Sequence, residues 1–292
     1  MGVALQLERG VRYEPMMYEA SYGLREKPFS ILPDPDMIFW GRYHRLAFAM
    51  LEFGVMNNAG FTVITGEIGS GKTTLLRHLL RKLDKQIKVG LISNTPRGKA
   101  ELLQWVMMSF NQPFEDSYPV LFKRLQQFLH EQHARAGRTI LVVDEAQNLE
   151  LDALEELRML SNINADKDQY LQLILVGQPQ LKDLLRSPQL FQFAQRVSSD
   201  FHLKPLEPSE VKDYINFRLK AAGGQFQLFS EEACATIAHA SRGIPRTINI
   251  LCDTALVYGF AMAAQIITAE IVTMVIENKS QYGVLPLQPL PT

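Results

Sequence analysis

The sequence predicts an α/β protein in which a parallel β-sheet carries helices on both faces and is followed by a small all-helical domain. Three observations support this fold class. Short apolar runs alternate with amphipathic stretches over the first two thirds of the chain. Hydrophobic residues occupy consecutive positions in these runs, which is typical of strands buried on both faces of a parallel sheet. From Pro208 onward, only helical patterns remain.

Each element follows from its apolar spacing. Four short runs are predicted to be strands, at residues 61–65, 88–93, 139–143 and 171–176, and residues 197–203 are a candidate for a fifth. Apolar residues at helical spacing predict helices among them, at 45–57, 73–83, 99–111, 118–134 and 151–161. The C-terminal helical patterns cover 208–222, 230–241, 245–264 and 268–278.

The predicted domain boundaries follow changes in composition. Residues 18–45 combine prolines and glycines with many aromatic side chains, which predicts an irregular but packed segment. We therefore expect five regions: an N-terminal extension at 1–16, this segment at 17–46, a core domain at 47–204, a helical domain at 205–279 and an extended tail at 280–292.

Composition and charge narrow the classes of function. The 292 residues carry 30 basic and 31 acidic side chains, so any nucleic-acid contact must come from a local patch. The 2 cysteines exclude a disulfide framework and suit a reducing compartment. The uncharged run at 254–269 is shorter than the ~20 apolar residues that a membrane span needs, and the N-terminus has no signal-peptide pattern. We expect a cytoplasmic protein, or one held at the inner membrane by a partner.

The strongest functional pattern is the segment GEIGSGKT, which lies between the first predicted strand and the helix after it. It matches the Walker A phosphate-binding loop (P-loop), whose backbone N–H groups surround the phosphates of a nucleotide. Lys72 is predicted to reach the β- and γ-phosphates, and the Thr73 hydroxyl to bind Mg²⁺. ATP and Mg²⁺ are therefore the expected cofactors. The predicted nucleotide-binding residues are Gly66, Glu67, Ile68, Gly69, Ser70, Gly71, Lys72, Thr73 and Thr74.

A second pattern lies at the end of the third predicted strand, where the apolar run TILVV is followed by Asp144 and Glu145. Asp144 is predicted to hold Mg²⁺ through its water shell, and Glu145 to orient and deprotonate the attacking water. An apolar run followed by two acids is also typical of a solvated strand end. Its place after a phosphate loop favours catalysis, and the presence of Glu145 favours hydrolysis over phosphate transfer to a small molecule.

Two further polar residues are candidates, each with a plain alternative. Gln178 follows the fourth predicted strand, where its side chain would sense the γ-phosphate; the alternative is a simple turn before a helix. Arg246 would project from the first turn of a helix that begins near Pro245. Its guanidinium would reach the nucleotide and report its state through domain closure, and the alternative is an ordinary surface arginine.

Together, the motifs GEIGSGKTT, VVDEAQ, GQP and GIPR resemble those of AAA+ ATPases. More narrowly, MYEASYGLREKPFSILPDPDMIF and the following His44 and Leu46-Ala47 resemble the family of general secretion pathway protein A. Its relatives include ATPases of MSHA pilus biogenesis and of exosortase and exopolysaccharide loci. The resemblance covers about residues 17–280. It implies a P-loop NTPase core with a five-stranded parallel sheet, a helical lid, a nucleotide between them, and the 17–46 segment near the adenine.

The resemblance also carries expectations about assembly. AAA+ relatives have an arginine before the last strand that reaches the nucleotide of a neighbouring subunit, and Arg196 stands at that place. A head-to-tail oligomer or ring is therefore implied; the alternative is a surface arginine that pairs with Asp200. The secretion-pathway protein continues beyond its lid with a transmembrane segment and a peptidoglycan-binding domain, so we expect a closer match to the shorter pilus and polysaccharide relatives.

These observations predict a Mg²⁺-dependent ATPase that couples hydrolysis to the assembly or export of a cell-surface structure. Its expected partners are further copies of itself and membrane-associated secretion, pilus or polysaccharide-export proteins. One alternative is an ATP-gated DNA-binding regulator of the transposition or origin-recognition type. The near-neutral charge and the lack of a helix-turn-helix extension disfavour it. Another is a nucleotide-binding scaffold without turnover, which Glu145 opposes.

Overall fold

A computed structural model of the chain describes residues 18–34, 37–84, 86–93, 98–165, 168–224, 227–284 and 287. The strands are β1 (Phe61–Gly66), β2 (Lys88–Ile92), β3 (Thr139–Val143), β4 (Asn164–Ala165), β5 (Asp168–Gln169), β6 (Leu171–Gly177) and β7 (Val197–Leu203). The first helices are α1 (Arg42–Met56), α2 (Lys72–Lys82), α3 (Gly98–Ser109), α4 (Tyr118–Ala134), α5 (Leu151–Leu160), α6 (Pro179–Leu185) and α7 (Phe191–Ala194). The others are α8 (Pro208–Ala221), α9 (Glu231–Ser241), α10 (Pro245–Ala261) and α11 (Ala269–Tyr282).

Five of the strands form one parallel sheet in the order β2-β3-β6-β1-β7. The register aligns Thr65 at the end of β1 with Gly177 at the end of β6, and Val143 at the end of β3 with Leu175 of β6. The carboxyl ends of β1, β3 and β6 therefore meet at one edge, where ligands of open α/β sheets bind. The predicted five-stranded parallel sheet is confirmed, and each predicted strand lies within one residue of the observed one.

Helices cover both faces of the sheet. Since successive residues of a strand point to opposite faces, each central strand contributes to two buried clusters. On one face, Leu141 and Val143 of β3 join a buried cluster with apolar residues of α3, α4 and α5. On the other, Ile140 and Val142 join a cluster with apolar residues of α1 and α2. This double burial explains why the central strands β1, β3 and β6 are apolar at consecutive positions.

The chain folds into two compact units. One consists of Leu32–Leu206, which contains the sheet, together with Ile244–Arg246. The other consists of the described residues up to Ile31, Glu207–Gly243 and the described residues from Thr247 onward. The predicted all-helical C-terminal pattern is confirmed by α8–α11. The predicted segment at 17–46 is thus divided, since its first part lies in the helical unit and the part after Ile31 lies in the sheet unit.

Within the helical unit, buried polar side chains fix the N-terminal segment. The guanidinium of Arg218 is buried, and its Nε donates to the main-chain oxygen of Pro28 over 2.7 Å. Asn249 Nδ2 donates to the main-chain oxygen of Ser30 over 2.9 Å, and its own Oδ1 accepts from Tyr214 Oη over 2.8 Å. These hydrogen bonds satisfy carbonyl groups of a segment without regular structure, and this explains how a proline-rich stretch packs without a helix or strand.

Some elements differ from the predicted pattern. The short antiparallel pair β4–β5 was not predicted. The uncharged run at 254–269 is not one helix, because α10 ends at Ala261 and α11 begins at Ala269. Across the described ranges, no helix has both the length and the apolar character to cross a membrane.

Candidate active site

The phosphate loop connects the end of β1 to the start of α2. Gly69 and Gly71 have φ of +79° and +100°, in the region that residues with a side chain rarely adopt. The loop can therefore turn back on itself and lead into α2, which begins at Lys72. Its N-terminal N–H groups and helix dipole favour an anion at this position.

The predicted loop residues differ in exposure. Gly66 ends β1, and Ser70 and Lys72 are buried. Exposed side chains belong to Glu67 and Ile68, whereas Thr73 and Thr74 are half-buried in the first turn of α2.

The ammonium group of Lys72 lies inside the loop. Its Nζ donates to the main-chain oxygens of Gly66 and Glu67, over 2.8 and 2.9 Å. Burial lowers the pKa of Lys72 below its usual value, although the nearby carboxylates of Glu145, Asp144 and Glu67 act in the opposite direction. The ammonium group is thus partly desolvated. A bound phosphate group would place a further negative charge next to it.

The Thr73 hydroxyl and the Asp144 carboxylate meet at the carboxyl edge of the sheet. Thr73 Oγ1 donates to Asp144 Oδ2 over 3.1 Å, and the backbone N–H of Glu145 donates to Oδ1 over 2.9 Å. Burial raises the pKa of Asp144, while those two hydrogen bonds and the charge of Lys72 oppose the shift. The carboxylate is thus held in place by donors from two separate elements.

The side-chain oxygens of Thr73 and Asp144 are of the kind that suits Mg²⁺. Magnesium in nucleotide sites is held by one or two protein oxygens, while water and phosphate oxygens complete its octahedron. Thr73 and Asp144 supply a hydroxyl and a carboxylate beside the phosphate loop. In the part of the chain that the structure describes, no cluster of three or more His, Cys, Asp or Glu side chains offers a metal site made of protein alone.

Glu145 and Gln178 come together as neighbours of this site. Glu145 is exposed and has φ of +54°, an uncommon conformation for a residue with a side chain. Its Oε2 accepts hydrogen bonds from Gln147 Nε2 over 2.7 Å and from Gln178 Nε2 over 3.2 Å. Gln147 was not among the predicted site residues. It stands within the VVDEAQ motif, but nothing in the spacing shows that its side chain turns back to Glu145.

Two histidines also support the loop and were not predicted to do so. His44 of α1 is buried, and its Nε2 donates to the main-chain oxygen of Ser70 over 3.0 Å. His202 of β7 places Nδ1 3.0 Å from Thr65 Oγ1 at the end of β1. Burial lowers the pKa of His202, which favours its neutral form. The loop is thus held from α1 as well as from the sheet.

Arg246 lies beside the phosphate loop. Its backbone N–H donates to the main-chain oxygen of Gly69 over 3.2 Å. A Cβ atom at Gly69 would lie 2.4 Å from Cβ of Arg246, so this approach also requires glycine. As predicted, α10 begins at Pro245 and Arg246 falls in its first turn.

Arg196 lies at the opposite edge of the sheet. It precedes β7, whose first residue Val197 pairs with Phe61 at the start of β1, whereas the loop follows the end of that strand. The guanidinium is exposed and donates to Ser161 Oγ over 3.1 Å and to Asn162 Oδ1. Its partners in the described part of the chain are these two residues instead of Asp200. The structure therefore does not bring Arg196 to the phosphate loop of its own chain.

Residues 55–185 match a family model described as an AAA domain. The match includes the phosphate loop, the acidic pair after β3 and Gln178 after β6. Together with the parallel five-stranded sheet and the helical C-terminal unit, it gives the chain the domain and the fold of an AAA+ ATPase.

A protein of a secretion pathway is similar to this chain over most of its length. Over 247 residues, the chain is 39% identical to General secretion pathway protein A of Aeromonas hydrophila. The match takes in 84% of this chain but 45% of that protein, so the chain spans about half the length of its relative. The expected resemblance to this family is confirmed.

Solved structures show the same fold at lower sequence identity. Cdc6p from Pyrobaculum aerophilum has a TM-score of 0.64 and 18% identity, covering 88% of this chain and 76% of that one. A structure of Drosophila ORC bound to DNA has a TM-score of 0.62 and 15% identity, covering 94% and 70%. A Walker-type ATPase of Pyrococcus abyssi has a TM-score of 0.58 and 19% identity, covering 87% and 78%. At these identities, the likeness concerns the fold alone.

Proposed function

We propose that this AAA+ ATPase hydrolyses ATP in a Mg²⁺-dependent reaction and couples hydrolysis to the assembly or export of a cell-surface structure. The observation that carries the proposal is the convergence of Thr73, Asp144 and Glu145 beside a phosphate loop. A hydroxyl and a buried carboxylate suit the metal, and the adjacent exposed carboxylate suits a water molecule.

The binding half of the reaction is electrostatic. Lys72 offers its ammonium to the β- and γ-phosphates, and the N-terminus of α2 adds backbone N–H donors. When bound, Mg²⁺ would neutralise phosphate charge and polarise the phosphoryl group; Thr73 and Asp144 would hold it. Arg246 lies beside Gly69, and its side chain would respond to the bound nucleotide. The adenine would lie near the 17–46 segment.

The chemical half assigns different roles to two neighbouring acids. Asp144 accepts hydrogen bonds from Thr73 and from the backbone, so its oxygens are directed at the metal position. Glu145 is exposed, and its carboxylate accepts hydrogen bonds from Gln147 and Gln178 instead of from Thr73. It is therefore the group that orients water and takes its proton. Gln178 Nε2 contacts Glu145 and would turn to the γ-phosphate when ATP is present.

Arg196 completes the site of a neighbouring subunit. Phosphoryl transfer gains rate from a cation that stabilises charge in the transition state. The resemblance to AAA+ proteins implies that a neighbouring subunit supplies this cation in a head-to-tail assembly. Arg196 stands at the edge of the sheet away from its own phosphate loop, which suits action on a second copy. We therefore propose a head-to-tail oligomer or ring as the active form.

The link to export rests on the relative named General secretion pathway protein A. We propose that this chain acts with a membrane-associated secretion, pilus or polysaccharide-export partner at the inner face of the membrane. In the source organism, a strain that carries only Glu145→Gln should lose the dependent surface structure or exported material, and the parental gene should restore it. Normal secretion, piliation and polysaccharide in that strain would contradict the proposal, as would ATP turnover stimulated by duplex DNA with a steep salt dependence.

A further inference from the structure

The Gln147 amide joins two parts of the active site. It lies in the 3₁₀ turn Ala146–Asn148, directly after the acidic pair. Its Nε2 donates to Glu145 Oε2 over 2.7 Å, and its Oε1 accepts the backbone N–H of Gln178 over 2.9 Å. A backbone N–H can only donate, so the amide oxygen must face Gln178 and the amide nitrogen must face Glu145. The two hydrogen bonds therefore fix which way the Gln147 amide faces.

We infer that Gln147 is a positioning residue for ATP hydrolysis, which holds the Glu145 carboxylate by tying it to the main chain at the end of β6. The inference rests on the proposed role of Glu145 as the group that activates water. It assigns Gln147 no contact with the nucleotide or with the metal.

Gly177 provides a second observation of the same contact. A Cβ atom at this buried glycine would lie 2.9 Å from Gln147 Oε1 and 2.8 Å from Leu181 Cδ2. Both distances are shorter than real Cβ contacts. The missing side chain at the end of β6 therefore leaves the space in which the Gln147 amide reaches the backbone of Gln178.

Glu145 needs such a restraint because its own position is loose. The side chain is exposed and rises from a residue with positive φ, so the surrounding core does not fix its rotamer. A reacting group that is misplaced by ~1 Å can lose ~10²-fold in rate. Hydrogen-bonded supports of this kind preorganise a site for its reaction.

The other donor to Glu145 cannot replace Gln147 during the reaction. Gln178 Nε2 lies 3.2 Å from Glu145 Oε2, but this amide is the one proposed to turn to the γ-phosphate. Gln147 is anchored on the backbone N–H of Gln178, which stays in place when the side chain turns. Glu145 thus keeps one donor throughout the cycle, and that donor is linked to the strand that carries the phosphate sensor.

The test compares kcat and KM of full-length variants. Gln147→Ala should lower kcat by about 10–100-fold, with KM and ATP affinity close to parental values, because the residue acts through Glu145 and not on the nucleotide. Gln147→Glu keeps the shape and the acceptor for Gln178 but loses the donor to Glu145, so it should not rescue kcat. Asn148→Ala is the matched control, since this exposed neighbour lies in the same turn, and its kcat should equal that of the parent.

A second pair of variants tests the geometry. Gly177→Ala should lower kcat by displacing the Gln147 amide. In the Gln147→Ala background its effect on kcat should be smaller, because the contact with Gln147 is already gone and only the contact with Leu181 remains. Melting temperatures of all variants show whether each protein is folded.

Two results would overturn the inference separately from the proposed function. If Glu145→Gln is inactive while Gln147→Ala keeps the parental kcat, Gln147 does not position the carboxylate. If Gln147→Ala raises KM and weakens ATP binding while kcat is unchanged, the residue shapes the nucleotide site instead. If Glu145→Gln itself turns over at the parental rate, the proposed water activation is wrong, and the role of Gln147 is rejected with it.

Discussion

Replacing Arg196 by alanine should reduce ATP turnover by about 10³-fold, the effect of removing a cation that stabilises the transition state of phosphoryl transfer. This factor corresponds to ~4 kcal/mol of activation free energy. If Arg196 has this role, its distance from the phosphate loop of its own chain requires that it act on another subunit. Val197, next to Arg196, pairs with Phe61, and Leu203 pairs with Gly66. At ~3.3 Å per residue, this separation along β1 is about 16 Å, which is longer than an arginine side chain.

The assay mixes two inactive variants. Arg196→Ala subunits keep an intact phosphate loop, and Lys72→Ala subunits keep an intact Arg196. If the arginine acts on a neighbour, mixed assemblies contain interfaces that combine a working loop with a working arginine, and phosphate release should recover in part. Arg135→Ala is a suitable control. This exposed arginine also precedes a strand of the sheet, but the strand is β3 instead of β7, so its replacement should leave turnover unchanged.

Co-assembly must be confirmed by pull-down with differently tagged subunits. No recovery in a mixture that has co-assembled would refute action on a neighbouring subunit. Full activity of Arg196→Ala alone would refute a catalytic role altogether, and the contacts with Ser161 and Asn162 would then be its whole role.

Two other variants test the phosphate loop and the metal position. Lys72→Ala should weaken ATP binding by about 10–100-fold in calorimetry, because a hydrogen bond to a charged group contributes about 1.5–3 kcal/mol; unchanged affinity would reject the loop as the phosphate site. Asp144→Asn should abolish the effect of Mg²⁺ on ATP affinity, yet raise the melting temperature of the nucleotide-free protein at neutral pH. The pKa of Asp144 is raised by burial above its ordinary 3.8, so its ionised form is disfavoured in the folded state and costs stability at high pH. The gain should shrink as the pH falls through the raised pKa of the folded state, and it should be lost below 3.8, where the carboxyl group is protonated in both states. Thermal melts between about pH 3 and pH 8, with and without Mg²⁺·ATP, check this. A melting temperature below that of the parent at neutral pH would contradict it.

The central strands β1, β3 and β6 could be predicted from the sequence because they are buried on both faces. Double burial makes them apolar at consecutive positions, as in TILVV, and this signal needs no information from distant residues. The phosphate loop was predictable for a related reason. Its function depends on backbone N–H groups and on glycines at fixed spacing, so a short run of consecutive residues is enough to identify it.

The contacts around Glu145 could not be predicted in the same way. They depend on the pairing of β3 with β6, which brings residues 145 and 178 together, and on the direction of a single amide in a 3₁₀ turn. The partners of Arg196 depend likewise on the packing of α5 against α7, the short helix that precedes Arg196, whereas the alternative drawn from the sequence was a pair with Asp200. The first part of the N-terminal segment is bound within the helical unit by Arg218 and Asn249, which lie 190 and 219 residues after their partners Pro28 and Ser30.

The most direct test of the account is the turnover of Glu145→Gln. The substitution keeps the size and hydrogen-bonding shape of the side chain and removes the base. We expect Mg²⁺·ATP to bind with parental affinity in calorimetry, while phosphate release in a single-turnover experiment falls by about 10²–10⁴-fold, the usual contribution of a general base. Binding and release at parental levels in the same protein would contradict the assignment of water activation to Glu145.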